Sequence, residues 1–380
     1  MSAPSGPGTH IREIINGFEE QGHEVVKLIA GGEKLESGVA PINIKKRSWK
    51  KWIPTYVWES LKDYSLLRLD KKLELQLEAL IAREKPDFIY ERAYYMMGAG
   101  YRVAKRLNIR YGCEINAPYP EEKTAMSGRS IFTTRAIANE RDQIEHSYKV
   151  FTVSSALKSY LEKAIGKSSE HIIITPNAVN PKYILENEKE EEKLRKKLGL
   201  SNDEKVIGFV GSIFKYHGVD ALIEAFAEIL QNRSLTVKLL IVGDGEILPD
   251  LKRRVAELKI EHLVHFTGNV PHKSVYHYIG LMDIAVMARS NWYGSPVKIF
   301  EYGIMGKCII APNVVPVCDV MEHQQDGILI ADELAELKNA LTFLLENPAA
   351  AERMARSFQQ KVSTKHTWQQ VSAQILSEVL

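Results

Sequence analysis

Twice along this chain, short apolar runs alternate with segments of helical period, and one densely charged stretch separates the two series. Strands alternating with helices at such spacing build parallel α/β units, which narrows the possible folds more than any other feature. In the first series, Ile11–Gln21 has helical spacing and leads into a largely apolar run, Glu24–Ala30, read as a strand. Helical stretches over Leu66–Arg83 and Gly100–Leu107 then alternate with strand-like runs at Asp87–Tyr90, Tyr111–Ile115, Lys149–Val153 and Ile172–Thr175. Between Glu186 and Lys205 charge dominates, as expected of a solvated linker and helix. The second series has strands at Lys205–Val210, Val237–Val242, Val264–Phe266, Ile284–Met287 and Cys308–Ala311, with helices over Val219–Leu230 and Leu248–Leu258. The expectation is an α/β chain with two doubly wound, Rossmann-like domains, whose ligands sit beyond the carboxyl ends of strands.

A length of 380 residues agrees with two domains. A net charge of +2 gives no reason to expect nucleic acid as a partner. Cys113, Cys308 and Cys318 are odd in number and lie in no metal-binding spacing, which fits a reducing compartment. No apolar run is long enough to cross a bilayer, and Met1–His10 lacks the apolar core of a signal peptide. A cytoplasmic location is expected. A Rossmann-type domain opens with a strand, yet Ser5-Gly-Pro-Gly8 runs straight into a helix. Either that strand is lost through truncation or the domain is built without it.

Several loops carry residues suited to an anionic ligand. Gly6-Pro-Gly8-Thr9-His10 precedes a helix, where glycines allow close backbone approach and free N–H groups favour phosphate; a plain turn and cap is the alternative. Gly211–Gly218 follows a strand and places Lys215 and His217 where an anion could lie, or forms a solvated loop. Gly243-Asp244-Gly245 repeats the arrangement and reads as a structural turn, with Asp244 capping the next helix. In Gly294-Ser295-Pro296-Val297-Lys298-Ile-Phe-Glu301, a glycine loop opens a helix on which Lys298 and Glu301 share a face. A cation at a helix start can hold a diphosphate, and a carboxylate one turn on can accept both hydroxyls of a ribose. Lys45–Trp58 interleaves five cations with aromatics, a pattern suited to an anionic membrane surface or acceptor; otherwise it is a solvated loop.

With these segments in view, the chain resembles glycosyltransferase family 4, the retaining enzymes of GT-B fold. Matching segments, in order, are Gly8-Thr-His10, Tyr90-Glu-Arg92, Glu114-Ile-Asn116-Ala-Pro118, Thr152-Val-Ser154, Pro176-Asn177-Ala-Val-Asn180, Gly243-Asp-Gly245, Gly268-Asn-Val270-Pro271 and Lys298-Ile-Phe-Glu301. The resemblance implies two Rossmann-like domains facing across a cleft. Residues 1–180 would form the acceptor side and 181–364 the donor side, with a helix over 365–380 returning to the first domain; Val371, Ile375 and Val379 give that helix an amphipathic pattern.

The implied reaction moves a sugar from a UDP- or GDP-linked donor to a sugar, lipid-linked or small-molecule acceptor. It needs no cofactor, and the chain has no Asp-x-Asp pair for a metal-held diphosphate. Gly8 would offer its amide to the diphosphate across the cleft. Ser212, Lys215 and His217 would face the phosphates from the other domain, with Asp244 and Ser295 beside the donor and Lys298 on its diphosphate. Val270 would meet the base and Glu301 the ribose. Ser212 and His217 stand where many members have Arg and Lys, and Tyr293 where many carry a first glutamate. Asn116 replaces the usual acceptor-side histidine, with Glu114 two residues before; these two are the catalytic candidates. An amide cannot act as a base, so Asn116 would orient a hydroxyl. A nucleotide-sugar-binding protein without transfer activity and a nucleotide-sugar epimerase are the alternatives.

Overall fold

The structure is a computed structural model and describes residues 6–30, 54–183, 188–201, 203–231 and 236–380. It divides into two compact units, Met1–Pro176 with Ser372–Leu380, and Asn177–Val371. In the first unit, helices α1 (Gly6–Glu20) and α2 (Thr55–Glu84) precede β1 (Phe88–Arg92), α3 (Ala99–Leu107) and β2 (Arg110–Ile115). Then come α4 (Tyr119–Ser127), α5 (Thr133–His146), β3 (Lys149–Thr152), α6 (Ser155–Ile165) and β4 (Ile172–Ile174). The four strands pair in parallel in chain order, β1-β2-β3-β4. Cys113, Ile115, Val150, Leu161 and Ile172 fill the core between sheet and helices.

Three local expectations are corrected. Helix α1 begins at Gly6, so Gly6-Pro-Gly8 is its first turn and not a loop before it. Proline suits that position, because its ring presets helical φ and the first turn needs no donor from it. Phe18 of α1 then meets the Tyr90 ring edge-on at 5.5 Å. Residues Glu24–Ala30 form no strand: they have no ladder partner among the described residues, and Val26 and Leu28 are exposed. Third, the sequence reading missed a strand in the second unit, described below.

Ser372–Leu380, most of the last helix, packs on the first unit. Gln21 Nε2 donates to Ser372 Oγ at 2.9 Å, Lys149 pairs with Glu378 at 2.5 Å, and Arg110 Nη1 donates to the Val379 carbonyl at 3.0 Å. Val371, Ile375 and Val379 are buried.

The second unit runs α7 (Glu188–Lys197), β5 (Lys205–Val210), α8 (Val219–Ile229), β6 (Val237–Val242), α9 (Leu248–Glu257), β7 (Val264–Phe266), α10 (His272–Gly280) and β8 (Ile284–Val286). It continues with α11 (Val297–Ile304), β9 (Cys308–Pro312), α12 (Val315–Cys318), β10 (Ile328–Ile330), α13 (Leu334–Glu346), α14 (Pro348–Lys365) and the start of α15 (Trp368–Val379). Its parallel sheet has the order β10-β9-β8-β5-β6-β7. Strand β10 is the one missed: three residues between Gly327 and Ala331 are too short a run to stand out, and β9 recruits them. Alternate residues of β5 feed opposite faces. Ile207 and Phe209 join one apolar layer with Leu222 and Leu251, while Val206 and Val210 join another with Ile279 and Phe300. Burial on both faces is the condition under which all-parallel sheets occur.

The loops after β5, β6 and β7 are stitched backbone to backbone. The Gly211 N–H donates to the Val242 carbonyl at 3.0 Å, Ile213 to Asp244 at 2.9 Å, and Gly243 to Gly268 at 3.1 Å. Gly243 has φ +136°, and a Cβ there would lie 2.0 Å from the Gly211 carbonyl oxygen. Replacing Gly243 by Ala should therefore destabilise the protein by about 1–3 kcal/mol, through strain and forced separation of the two loops. Denaturant unfolding that matches the parent would show that the loops separate without cost.

Candidate functional site

In the second unit the strand order reverses between β5 and β8, which lie side by side although three connections apart in sequence. Loops leaving neighbouring strands in opposite directions open a crevice at such a switch point, and ligands of doubly wound sheets bind there. The loop after β5 holds Gly211, Ser212, Lys215 and His217; the loop after β8 holds Ser295 and leads into α11 with Lys298 and Glu301.

Lys298 is the second residue of α11. Its Nζ lies 4.5 Å from the centroid of the Phe209 ring and has no hydrogen-bond acceptor. It also passes close to the backbone of Gly211, where an added Cβ would stand 3.0 Å from Nζ. Burial pulls the Lys298 ammonium down to about 8, with Glu301 opposing the shift. Burial pushes the Glu301 carboxyl up to about 7, with Lys298 opposing. The two groups hold each other charged in surroundings that disfavour charge.

His217 closes a short 3₁₀ turn, Lys215–His217, that ends at Gly218 with φ +71°. Its Nδ1 lies 2.6 Å from the Ser212 carbonyl oxygen, which can only accept, so Nδ1 carries the hydrogen. Burial and the nearby Lys298 pull the ring down to about 4, so it is neutral at pH 7 with a lone pair on Nε2. Ser212, Lys215 and Asp244 are exposed. Asp244 does not cap α9: its carboxylate accepts from the Gly245 N–H at 2.8 Å, and the helix opens at Leu248 after an Ile247 that offers no side-chain cap. Val270 packs against the apolar layer beneath it. Ser295 is buried, and its hydroxyl accepts from the Asn177 N–H at 3.1 Å while its carbonyl accepts from Asn177 Nδ2 at 2.5 Å. Its observed contacts thus fix the loop before α11.

In the first unit, Glu114 near the carboxyl end of β2 gathers four partners. His10 Nε2 lies 2.8 Å and Arg92 Nη1 3.2 Å from Oε1, Asn116 Nδ2 donates to the same oxygen, and the Tyr90 hydroxyl donates to Oε2 at 2.7 Å. Burial would raise the Glu114 carboxyl, but His10 and Arg92 beside it hold it well below the usual carboxylate range. A carboxylate held so firmly ionised is a poor proton acceptor at neutral pH. Asn116 Oδ1 is left buried with no partner, and Arg92 Nη1 makes no aligned hydrogen bond. Gly8 lies in the first turn of α1, two residues before His10. Sequence reasoning assigned no role to His10, Tyr90 or Arg92; their signal was that two matching segments, Gly8-Thr-His10 and Tyr90-Glu-Arg92, end or begin on them.

Lys45–Ile53, most of the cationic-aromatic segment, lies outside the described residues, and Tyr56 and Trp58 belong to the first turns of α2. Among the described residues no helix is long and apolar enough to cross a membrane, and no three His, Cys, Asp or Glu side chains gather as a metal site.

Comparison with known proteins agrees with this architecture. Residues 4–183 match the model of Glycosyltransferase Family 4, and residues 190–361 that of Glycosyl transferases group 1. An uncharacterized glycosyltransferase of Methanocaldococcus jannaschii is 22% identical over 98% of this chain and 93% of its own length. A 2-deoxystreptamine glucosyltransferase of Streptomyces kanamyceticus is 28% identical over 56% of this chain, which spans 55% of that relative. The alpha-monoglucosyldiacylglycerol synthase of Streptococcus pneumoniae is 33% identical over 76% of this chain and 63% of its own. Among solved structures, Anabaena HepE in complex with UDP aligns over 82% of this chain and 81% of its own at TM-score 0.69 and 18% identity, a likeness of fold. The first family model spans the four-stranded sheet and the second the six-stranded sheet, and the chain belongs to the glycosyltransferases of family 4, with the GT-B fold.

Proposed function

We propose that the protein transfers a sugar from a nucleoside-diphosphate sugar to an acceptor hydroxyl with retention at the anomeric carbon. The observation that carries this reading is Lys298: a buried ammonium without an acceptor, at the switch point of the sheet, one helical turn from a carboxylate. A diphosphate supplies the missing acceptor, and Glu301 then accepts the ribose hydroxyls. UDP bound to HepE, a protein of the same fold, supports a uridine donor, and GDP is the other base to try. Lys215 and Ser212 lie exposed on the loop after β5 and are proposed to close on the phosphates, with His217 beside them; Gly8, Asp244, Val270 and Ser295 complete the proposed donor set.

In the reaction, the bond from the anomeric carbon to the diphosphate oxygen breaks while the acceptor oxygen bonds to that carbon on the same face. The acceptor proton passes to the departing diphosphate. The chain's contribution is to place the two substrates and to neutralise the charge that develops on the leaving group. Asn116 Oδ1 offers an acceptor and Arg92 Nη1 a donor, and both are anchored on Glu114 Oε1. A hydroxyl both donates and accepts, so this pair suits a sugar hydroxyl. Asn116→Ala should lower kcat/KM about ten-fold and leave nucleotide affinity unchanged, as a titration with UDP and GDP would check.

A sugar or a lipid-linked acceptor fits the relatives, which include an alpha-monoglucosyldiacylglycerol synthase. Peripheral contact with a membrane, read from Lys45–Trp58, belongs to the same proposal. The deciding experiment incubates the protein with UDP- and GDP-sugars, with and without a panel of acceptors. Nucleoside diphosphate released only with acceptor, together with an α-linked product from an α-linked donor, is the expected result. Sugar isomerised without acceptor would instead mark an epimerase, and donor binding without turnover on any acceptor would mark a binding protein.

A further inference from the structure

One large ring is held out of a loop that is otherwise closed. Strand β1 ends at Arg92, and of the next five residues Ala93, Tyr95, Met96 and Met97 are buried, whereas Tyr94 is 60% exposed. The backbone on both sides of it is tied down. The Ala93 N–H donates to the Glu114 carbonyl at 2.8 Å, the Met97 N–H donates to the Tyr94 carbonyl at 3.0 Å, and the Met97 carbonyl accepts from Asn139 Nδ2 at 2.8 Å. The neighbouring Tyr95 hydroxyl donates to Asp63 at 3.0 Å. Met96 is held at φ +67°, a left-handed conformation that is costly for an L-residue and persists only where the surroundings impose it. The loop therefore has little freedom to withdraw the Tyr94 ring from solvent.

That ring stands beside the Glu114 cluster. It lies 6.3 Å from the ring of Tyr119, tilted by 48°. Tyr119 opens α4, packs against Tyr95 and Met96, and turns its hydroxyl back to the Asn116 N–H, within the field of Arg92 and Glu114. Two aromatic rings thus border the two groups that lack a bonded partner, Asn116 Oδ1 and Arg92 Nη1. An aromatic face carries negative charge density and attracts C–H bonds. A pyranose ring has C–H bonds projecting from its faces and hydroxyls around its edge. Laid on Tyr94, it would remove apolar surface from water and present its edge to one group that accepts and one that donates, as a hydroxyl requires.

We infer that Tyr94 is the platform on which a pyranose acceptor stacks, with Asn116 and Arg92 at the edge of the sugar. The inference rests on the proposed transfer reaction and narrows its acceptor to a pyranoside, free or carried on a lipid. An acyclic alcohol such as glycerol offers hydroxyls to Asn116 and Arg92 but has no flat C–H face, so it would leave the Tyr94 ring uncovered. A simple phenol would cover the ring but has no rim of hydroxyls for the polar pair. Only a sugar ring uses both halves of the arrangement.

Saturation-transfer NMR on the full chain tests this without donor, and so without catalysis. The probes are the α- and β-methyl glycosides of glucose and galactose, with glycerol and phenol as references. At least one pyranoside should receive saturation, strongest at the ring C–H protons of one face. Tyr94→Ala should weaken its binding about ten-fold, Tyr94→Trp should keep it, and both should melt with the parent because the side chain is exposed. With donor present, Tyr94→Ala should raise KM for that acceptor by the same factor and leave KM for the nucleotide sugar unchanged, a split that a loosened loop would not give. The inference is overturned if no pyranoside receives saturation, if Tyr94→Ala binds like the parent, or if glycerol or phenol receives as much as the sugars. Transfer to diacylglycerol without any pyranoside binding would remove this acceptor and leave the transfer reaction standing. Pyranoside binding that Tyr94→Ala loses, with no transfer from any donor, would uphold the platform and remove the reaction.

Discussion

Replacing Glu301 by alanine is expected to lower kcat/KM for the nucleotide sugar by about thirty-fold to a thousand-fold, or about 2–4 kcal/mol of transition-state stabilisation. The size follows from the position of the carboxylate. It is set one turn into α11 beside a buried ammonium, and a ribose would present two hydroxyl donors to one charged acceptor. Glu301→Gln keeps one acceptor oxygen and the shape, and should lose less. Neither variant should unfold, since the Lys298 ammonium left without its carboxylate can shed its proton, burial already pulling it down to about 8. Donor affinity and turnover equal to the parent in the alanine variant would place the nucleotide elsewhere.

The same carboxylate sets a pH dependence whose sign can be worked out. Glu301 must be ionised to accept both hydroxyls, and burial puts its carboxyl at about 7, so kcat/KM should fall as pH drops through that value. Lys298 must be protonated to hold the diphosphate, and burial puts it at about 8, so kcat/KM should fall again as pH rises through that value. The limbs belong to the coupled pair and give a narrow bell. Bound donor favours the charged form of both groups, so the kcat profile should be broader than that of kcat/KM. Glu301→Gln should remove the acid limb. An acid limb that survives that change would belong to another group.

Much of this arrangement was legible in the sequence, for a physical reason. Strands such as Lys205–Val210 and Val237–Val242 are buried on both faces but for one lysine in each, so they appear as nearly continuous apolar runs whose ends coincide with the observed strands. The glycines at 211, 243 and 268 mark where the backbone must turn with positive φ. What stayed hidden depends on partners distant in sequence. Glu24–Ala30 has the composition of a strand, but a strand exists only with a neighbour, and no described residue supplies one. Ile328–Ile330 has little strand signal of its own and is made a strand by β9. Glu114 stood out as a candidate through its motif, but that it is held ionised could not be seen, because His10 and Arg92 arrive from α1 and β1. The Phe209 ring beneath Lys298 comes from β5, 89 residues earlier by number, and no spacing rule connects them.

Lys298→Met combined with Glu301→Gln should give opposite results in two assays: a more stable protein without donor, and loss of donor binding by about a hundred-fold or more. In the free protein the Lys298 ammonium is desolvated, with an aromatic face and one nearby carboxylate in place of water. Replacing both members of a buried pair by neutral groups of similar shape is commonly neutral or stabilising by about 1–4 kcal/mol. Changing both together also avoids leaving Glu301 buried without its cation. The pH dependence identifies the source. Lys298 shifts from 10.5 when unfolded to about 8 when folded, so between these values the unfolded chain binds more protons and the stability of the parent rises with pH. Glu301 shifts from 4.5 to about 7, so the folded chain binds more protons in that lower window, and parental stability falls as pH rises through it. The advantage of the double variant should accordingly be greatest between about 7 and 8, where both parental groups are charged and buried, and shrink towards either side. Bound UDP should reverse the order, since the diphosphate supplies the acceptor that Lys298 lacks and stabilises only the parent by mass action. Melting curves across this pH range, with and without UDP, measure all of it. A double variant less stable than the parent at every pH would mean that Lys298 and Glu301 hold α11 in place, and that the crevice between β5 and β8 is not built around a ligand's charge.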